Sequence, residues 1–432
     1  MIAGAIPSMT YPDSVRFLYS LGNEIPAAKM GLERIGMLLE RLGNPHRVCD
    51  IVHVAGTNGK GSVCAMIESG LRAAGVRTGL FTSPHLIEPT ERIRVGGEPV
   101  GAAQFAEAFE RVHAVAERML AESWIECHPT YFETVTAMAF LLFRELGVET
   151  AVLEVGLGGR LDATNVVAPR LCVITPIDYD HEALLGKAIE SIAREKAGIL
   201  KPGVAAVLAP QRPEAERVIR MQAQEVGARI LAAADWTVTD VELRADGSRF
   251  TVQGPCGFRM TVECPLAGEH QLGNAVTAVT ALRALGIRAE AIREGIRRVD
   301  WPGRLERVAS RPAIILDGAH NPGGARAVAS YIERFWAGHR VWLIYGTMRD
   351  KAVSEIAGIL FPLADEVIVT APSHPRAVRP EVIAELADHP RLRSAPSLEA
   401  ALSMAGAAGP DDVIFITGTL FLVGEARALL VK

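Results

Sequence analysis

The sequence predicts an α/β protein in which two domains each contain a parallel β-sheet covered by helices. Between residues 52 and 209, short apolar strands alternate with amphipathic helical runs, which is the pattern of a parallel sheet with helices on both faces. The same alternation restarts after "DWPGRLERV", where Pro302 and Gly303 mark a boundary. We therefore predict one domain over residues 1–300 and a smaller one over residues 301–432.

Each element of the first domain follows from the period of its apolar residues. The strands are "DIVHVAG", "TGLFTS", "TAVLEVG", "RLCVIT" and "VAAVLA", and "TYFETVTAMAFLLFREL" is a long helix. The segment "WTVTDVELRADGSRFTVQG" has two alternating runs around Asp246 and Gly247, which predict a hairpin. A third antiparallel strand is expected at "FRMTVECP", and helices return at "NAVTAVTALRALG" and "AEAIREGIRRV".

In the second domain, strands and helices again alternate. The strands are "AIILDG", "VWLIYG", "EVIVTA" and "VIFITGT", and "ARAVASYIERFW" is the first of the helices between them. This alternation over about 130 residues predicts a second, smaller parallel α/β domain of ordinary size.

Composition and charge exclude several classes of protein. The 432 residues carry a net charge of −5 without a Lys- or Arg-dense run, which argues against a nucleic-acid binder. The six cysteines form no C-x-x-C pair and are expected to be reduced. No segment has the pattern of a signal peptide or the length of a membrane span, so we expect a cytoplasmic protein without membrane attachment.

The segment "HVAGTNGKGSV" lies between the first strand and a helix, and it predicts a phosphate-binding loop. Its glycines let backbone N–H groups approach an anion, while the helix N-terminus adds partial positive charge. Lys60 would neutralise the β- and γ-phosphates, and Ser62 could bind a phosphate or a metal ion. The pattern G-x-x-x-x-G-K-[ST] is not met, because Val54 replaces its first glycine and Gly61 follows the lysine. The alternative is a glycine-rich turn with an exposed lysine.

Polar residues gather where the predicted strands end. Ser83, Glu154 and His181 lie at or beyond the ends of three strands of the first domain. Asp317 and His320 follow the first strand of the second domain. Because ligands bind at the carboxyl ends of parallel strands, we expect these groups near the phosphate loop. Oxygen-rich ligation with open positions suits Mg²⁺ held jointly with ATP phosphates.

Each of these residues also has an ordinary structural alternative. Glu154 could be a buried carboxylate capped by backbone amides, His181 a structural histidine, and Ser83 the start of a turn. The segment "EVGLGGRLDATN" could be taken for a dinucleotide fingerprint, but it lacks the G-x-G-x-x-G spacing, and no helical pattern follows it at once.

Seven segments, in this order along the chain, together resemble the folylpolyglutamate synthase/dihydrofolate synthase family: "HVAGTNGKGSV", "FTSPHL", "ERIRV", "TYFETVTAMAF", "LEVGLGGRLDATN", "REKAGI" and "DGAHNP". The resemblance extends from Gly31 to "ITGTLFLVGEA" near the C-terminus. The family belongs to the Mur ligase superfamily of ATP-dependent amide-forming ligases. It implies a Mur-ligase-like P-loop ATPase domain with a parallel sheet and a small antiparallel subdomain, followed by a smaller Rossmann-like domain.

The resemblance implies roles for individual residues. ATP would be bound by Asn58, Gly59, Lys60, Gly61, Ser62, Asn274, Arg304, Asp317 and His320. Two Mg²⁺ ions would be held by Ser83, Glu154, His181 and Lys196, the last as a carbamate. Reaction with CO₂ turns a cation that repels Mg²⁺ into an oxygen ligand; without the resemblance, Lys196 would be interpreted as a solvated helical lysine. The catalytic candidates are Lys60, His181, Lys196 and His320.

The substrate pocket implied by the resemblance comprises Ala27, Ala28, Lys29, Thr130, Tyr131, Phe132, Glu133, Leu161, Asp162, Ala163 and Thr419. Phe132 offers an aromatic face, and Asp162 a carboxylate, for a pterin ring. Two positions depart from the family's pattern. The segment "YDHEALLG" keeps His181 but lacks a leucine, and Thr419 stands where serine is common.

The activity that the resemblance implies is ATP-driven joining of L-glutamate to dihydropteroate and to reduced folates, through an acyl phosphate. We expect a monomer, because no obvious interface helix appears in the sequence. An enzyme that only lengthens folylpolyglutamates is the nearest alternative. A muramyl ligase would need an N-terminal UDP-binding domain, for which the roughly 50 residues before the glycine loop leave no room. A P-loop switch or motor would hydrolyse ATP without glutamate, and an NAD-binding oxidoreductase would use "GLGGRLD".

Overall fold

The computed structural model describes residues 9–21 and 31–431, so the predicted substrate residues Ala27, Ala28 and Lys29 lie outside the described part of the chain. The helices are α1 (Tyr11–Ser20), α2 (Glu33–Arg41), α3 (Lys60–Ala73), α4 (Ala102–Ala121), α5 (Tyr131–Glu145), α6 (Glu182–Leu185), α7 (Ile189–Ala197), α8 (Pro213–Val226), α9 (His270–Ala284), α10 (Ala289–Arg297), α11 (Pro322–Phe335), α12 (Val353–Leu360), α13 (Pro380–Leu386), α14 (Leu398–Ala405) and α15 (Leu420–Leu430). The strands are β1 (Asp50–Ala55), β2 (Thr78–Phe81), β3 (Ile93–Val95), β4 (Glu98–Pro99), β5 (Thr150–Glu154), β6 (Leu171–Ile174), β7 (Ala206–Leu208), β8 (Ile230–Ala232), β9 (Thr237–Arg244), β10 (Gly247–Gln253), β11 (Arg259–Cys264), β12 (Glu306–Ser310), β13 (Ala313–Asp317), β14 (Val341–Tyr345), β15 (Glu366–Val369), β16 (Leu392–Ser394) and β17 (Val413–Thr417).

The largest sheet has the strand order β4-β3-β2-β5-β1-β6-β7-β8. The run from β2 to β8 is parallel, as predicted for β2, β5, β1, β6 and β7, while the three-residue β8 was not predicted; the central strands are buried because helices cover both faces. Strands β3 and β4 add an antiparallel edge that was not predicted. They contain only three and two residues, which is too short for a period to show in the sequence.

The predicted antiparallel subdomain is present as the sheet β11-β10-β9. Its apolar face contributes Phe250, Val252, Met260 and Val262 to the core that also holds α3, α9 and α10. Helix α3 is therefore buried over most of its length, between the large sheet, the subdomain and these two helices.

The third sheet has the order β12-β13-β17-β14-β15-β16 and belongs to the C-terminal part of the chain. Strands β13 to β16 run parallel, and β12 pairs antiparallel with β13 at the edge. The mixed α/β class, with a second and smaller parallel sheet, is as predicted. None of the described helices has the length and apolar character needed to cross a membrane.

Helices α3 and α10 approach each other closely enough that only glycine fits at their contact. A Cβ atom added to Gly295 would lie 2.4 Å from the Cα atom of Gly70. In the same contact, the Ser69 hydroxyl donates a 2.7 Å hydrogen bond to the Gly295 carbonyl. Separation of the helices would break this bond and open the core beside the phosphate loop.

We expect Gly295→Ala to lower the free energy of unfolding by about 1–3 kcal/mol, because the new methyl group overpacks two backbones. Gly358→Ala is the matched control, because Gly358 is also helical and nothing lies within 4 Å of the added Cβ. That control should stabilise the protein by about 0.5–1 kcal/mol, the usual gain from replacing a helical glycine. Chemical denaturation of the two variants measures both changes, and equal stabilities would contradict the packing argument.

Candidate active site

The glycine loop between β1 and α3 forms the floor of one cavity. Helix α3 begins at Lys60, and Gly59 before it has a φ of 84°, a left-handed conformation that favours glycine. A Cβ on Gly59 would lie 2.3 Å from the side-chain oxygen of Asn274. The ammonium of Lys60 donates to the Thr57 carbonyl at 3.1 Å and lines the cavity beside the helix N-terminus. This is the geometry expected of an anion site.

Helix α9 supports the loop from behind. The Gln271 amide donates to the Ser62 hydroxyl at 3.2 Å, and the Asn274 amide donates to Gln271 at 2.9 Å. These bonds orient the Ser62 oxygen in the cavity. Gln271 was not among the predicted site residues, because no local motif marks it.

Two residues with oxygen atoms that could bind a metal, Ser83 and Glu154, lie together at the carboxyl end of the large sheet. The Glu154 carboxylate is buried, and it accepts the backbone N–H of Ser83 at 3.1 Å. Burial raises the pKa of Glu154, while the charge of Lys60 acts to lower it. A buried carboxylate beside a hydroxyl and an imidazole suits a Mg²⁺ ion that also binds phosphate, so the residues present fit the predicted metal.

Asp180 connects both domains at this point. Its carboxylate accepts a 2.7 Å bond from Lys351, lies 3.5 Å from Nε2 of His320, and is 3.4 Å from the Asn321 amide. Burial acts to raise the pKa of Asp180, but the hydrogen bond from His320 and the nearby positive charges hold it well below its usual range.

The imidazole of His181 lies beside this carboxylate. Burial lowers the pKa of His181 to about 4, even though the charge of Asp180 acts to raise it. The ring is therefore neutral at pH 7 and can use a nitrogen lone pair toward a metal ion.

Lys196 lies in the same cavity wall and is buried, not solvated. Its ammonium nitrogen donates to the Gly56 carbonyl at 2.8 Å. Burial, together with the charge of Lys60, lowers the pKa of Lys196 to about 7. About half of the amine is therefore uncharged at neutral pH.

A second cavity adjoins the first, and residues around the start of α5 form one of its walls. The Thr130 hydroxyl accepts the Glu133 backbone N–H at 3.2 Å, and the Glu133 carboxylate accepts the Thr130 backbone N–H. Arg34 binds both carboxylate oxygens of Glu133, the shorter contact being 2.7 Å. The Phe132 ring covers Gly156, where an added Cβ would lie 2.6 Å from the ring.

Asp162 lines this cavity but also organises the loop that carries it. One carboxylate oxygen accepts the backbone N–H groups of Gly156 and Leu157 at 3.0 and 2.9 Å. The other oxygen accepts the N–H and hydroxyl of Thr164. Burial raises the pKa of Asp162, and these four donors oppose the rise.

The second domain closes the same cavity with groups that sequence reasoning did not identify. Lys351 and Arg376 bring two positive charges to its wall, and Phe421 adds an aromatic ring. The Nε atom of Arg376 is buried and has no hydrogen-bond partner among the described residues. A buried donor of this kind is expected to bind an acceptor on a ligand.

The structure brings most of the predicted residues together. The first cavity is lined by Asn58, Gly59, Lys60, Gly61, Ser62, Ser83, Glu154, His181, Lys196, Asn274, Arg304, Asp317 and His320. The second is lined by Thr130, Phe132, Glu133, Leu161, Asp162, Ala163 and Thr419. Tyr131 is the exception, because it packs inward, 5.8 Å from the Tyr19 ring, and is absent from both walls. The two cavities share Ser83, His181 and His320, so a ligand in one can reach a ligand in the other.

Comparison with known proteins identifies the class first. Residues 54–282 match the family described as the Mur ligase middle domain, and residues 303–420 match the Mur ligase glutamate ligase domain. The chain is therefore a Mur-type, ATP-dependent ligase. It is 34% identical over 469 residues to the dihydrofolate synthase/folylpolyglutamate synthase of Mycobacterium tuberculosis, with 99% of this chain and 96% of that protein covered.

One further relative and one solved structure indicate the family within this class of ligases. The chain is 37% identical to a probable bifunctional folylpolyglutamate synthase/dihydropteroate synthase of Haloferax volcanii, and the match covers 97% of this chain but only 50% of that protein. The solved structure of E. coli FolC with DHPP and ADP superimposes with a TM-score of 0.86, at 31% identity, over 96% of this chain and 97% of that one. The chain belongs to the folylpolyglutamate synthase/dihydrofolate synthase family.

We expect Asp180→Asn to destabilise the protein by about 3 kcal/mol at pH 7, because the buried Lys351 ammonium loses its closest partner and keeps only the half-exposed Asp350 carboxylate at 3.7 Å. The pKa of Asp180 is lowered by folding, so its stabilising contribution is present above the unfolded value of about 3.9 and is lost as the pH falls below it. The difference between wild type and variant should therefore be constant from about pH 5 to 8 and shrink on acidification.

Urea denaturation at several pH values measures this difference. Asp235→Asn is the control, because Asp235 is exposed. An effect of Asp180→Asn as small as that of the control would show that the ion pair does not join the domains.

Proposed function

We propose that this chain is an ATP-dependent amide ligase that joins L-glutamate to dihydropteroate and to reduced folates. The observation that carries the proposal is the junction of the two cavities at Ser83, His181 and His320. One cavity has a phosphate loop, and the other has an aromatic and carboxylate wall of the kind that binds a pterin. The relative from M. tuberculosis carries both synthase activities in its name, which supports the bifunctional form.

The first step is phosphoryl transfer to the pteroate or folate acid. A carboxylate oxygen attacks the γ-phosphorus of ATP, the bond to the β,γ-bridging oxygen breaks, and ADP leaves. Lys60 and the N-terminus of α3 stabilise the charge on the transferring group. Two Mg²⁺ ions, when bound, would neutralise phosphate charge, and Ser83, Glu154, His181 and, as a carbamate, Lys196 would hold them; all four residues line this cavity.

The second step forms the amide. The glutamate amine attacks the carbonyl carbon of the acyl phosphate, and the tetrahedral intermediate expels inorganic phosphate. Lys351 and the unpartnered Nε of Arg376 place positive charge in the wall of the second domain, where glutamate carboxylates would bind. Closure around the acyl phosphate would exclude water and prevent its hydrolysis.

We further propose that Lys196 is carbamylated. Because the pKa of Lys196 is about 7, part of its amine is uncharged at neutral pH and can react with CO₂. The ammonium of Lys196 is repelled by that of Lys60, whereas a negatively charged carbamate at Lys196 would be attracted to it. The Gly56 carbonyl, now 2.8 Å away, would still accept the remaining carbamate N–H.

We propose the domain boundary that the sequence predicts, between residues 300 and 301, and three observations support it. The first two sheets end at Cys264, the third begins at Glu306, and Gly303 has a φ of 72° between them. The cytoplasmic location and the monomeric state stay predictions.

Release of ADP from Mg·ATP in the presence of L-glutamate tests the main proposal. We expect turnover with dihydropteroate in one reaction and with tetrahydrofolate in the other, and little release when glutamate is left out. Turnover with tetrahydrofolate but not with dihydropteroate would mean that the enzyme only lengthens folylpolyglutamates. ADP release that ignores both acceptors would reject ligase activity in favour of an ATPase switch.

Depletion of CO₂ tests the carbamate. Activity at pH 8 should fall by tenfold or more in degassed buffer and return when bicarbonate is added, because the carbamate forms from the uncharged amine. Lys196→Ala should be equally inactive with and without bicarbonate, and small carboxylates should partly restore its activity. The control variant Lys201→Ala should respond to bicarbonate as wild type does. A wild-type enzyme indifferent to CO₂ would refute carbamylation without affecting the assignment of ligase activity.

A further inference from the structure

Three potential metal ligands converge away from both cavities, at the C-terminal half of α4. His113 and Glu117 lie one turn apart on that helix, and His128 lies on the segment that leads to α5. One ligand atom from each residue lies within 4.8 Å of the other two. None of the three lines the nucleotide cavity or the substrate cavity.

The distances within this His113–Glu117–His128 cluster match a transition-metal site. The Nδ1 atom of His113 lies 3.4 Å from Nε2 of His128, and the Glu117 oxygen lies 3.8 Å from each nitrogen. A point at the centre of such a triangle is about 2.1 Å from all three atoms, which is the length of Zn²⁺ bonds to imidazole and carboxylate. Only small side-chain rotations would be needed to place an ion there.

The surrounding contacts orient the two rings toward this point. The Nδ1 atom of His128 bonds the Pro129 carbonyl at 2.8 Å, so its other nitrogen, Nε2, is left facing His113. A backbone carbonyl on the far ring nitrogen is the usual partner of a ligating histidine. Phe17 packs at 4.4 Å from the His113 ring and 5.5 Å from the His128 ring, and Phe109 stacks on His113 at 5.4 Å.

We propose that His113, Glu117 and His128 bind a Zn²⁺-class divalent cation, separately from the Mg²⁺ of the ligase reaction. Two imidazoles and one carboxylate favour borderline transition metals over Mg²⁺ and Ca²⁺, which prefer sites made of oxygen atoms alone. The exposed Glu117 side chain leaves room for a water molecule as fourth ligand.

Such an ion would connect α4 to the wall of the substrate cavity. His128 directly follows Cys127, whose sulfur accepts a 3.2 Å bond from Arg34, and it precedes Thr130 by two residues. Arg34 and Thr130 both line the cavity. The ion would therefore restrain the segment on which this wall depends, and its role would be to position the wall, without contact to substrate.

Titration of the full-length, chelator-treated protein with Zn²⁺ in millimolar Mg²⁺ tests the proposal. Isothermal calorimetry is compared for wild type, Glu117→Gln, His128→Gln and Glu107→Gln. Glu107 is the matched control, an exposed glutamate on the same helix outside the cluster. Because Glu117 is also exposed, its replacement leaves the fold intact.

Wild type and Glu107→Gln should bind one Zn²⁺ more per chain than the two cluster variants, or bind it at least tenfold more tightly. At a hundredfold excess over Kd, Zn²⁺ should also raise their melting temperature by about 3 °C more than that of the cluster variants. Equal stoichiometry, affinity and melting shift in all four proteins would overturn the proposal. The two histidines would then be a packed, hydrogen-bonded pair without a metal.

Discussion

The buried ion pair between Asp180 and Lys351 connects the two domains at the junction of both cavities. The side chains are 10% and 8% exposed, so leaving either one without the other would be costly. His181 of the first domain and His320 of the second lie against the same carboxylate. The distance between the phosphate loop and the wall of the second domain therefore depends on this contact, and the Asn321–Asn58 hydrogen bond of 2.9 Å reinforces it.

Several side chains that line the cavities are held in place by hydrogen bonds or ion pairs from neighbouring side chains. Gln271 orients Ser62 from behind the loop, and Arg34 fixes the Glu133 carboxylate at the substrate wall. Such buried partners limit the motion of each reacting group, which is how a site keeps its geometry before substrate arrives. The position of α3 is in turn set by its glycine contact with α10.

Electrostatics give the two lysines of the site different tasks. Lys60 lies at the helix N-terminus, where its hydrogen-bond partner among residues 9–21 and 31–431 is the Thr57 carbonyl, so its charge is available to phosphate. Lys196 is buried behind it, and burial together with the charge of Lys60 makes its uncharged form accessible at neutral pH. In the proposed reaction, Lys60 would therefore supply a cation and Lys196 a reactive amine. The glycine loop predicts the role of Lys60 from sequence, whereas the burial of Lys196 is seen only in the tertiary structure.

The order of strands and helices, the antiparallel subdomain and the glycine loop were all predicted from sequence, because periodicity and backbone freedom are local properties. Ser83, Glu154, His181, Asp317 and His320 were also predicted, because the carboxyl ends of parallel strands meet at one edge. The short strands at or next to the sheet edges, β3, β4, β8, β12 and β16, were not, because pairing with a neighbour selects them more than their own residues do.

Other site residues depended on packing between distant parts of the chain. Arg34, Lys351 and Arg376 have no local motif, and only the tertiary structure brings them to the substrate cavity. Tyr131 was predicted in the substrate pocket together with Phe132, but it packs inward beside Tyr19 and lines neither cavity, a direction that the local sequence does not give. The sequence by itself determined which helices and strands form and which polar residues follow the ends of the strands. The tertiary structure decided which charges are buried together, because burial depends on contacts across the whole fold.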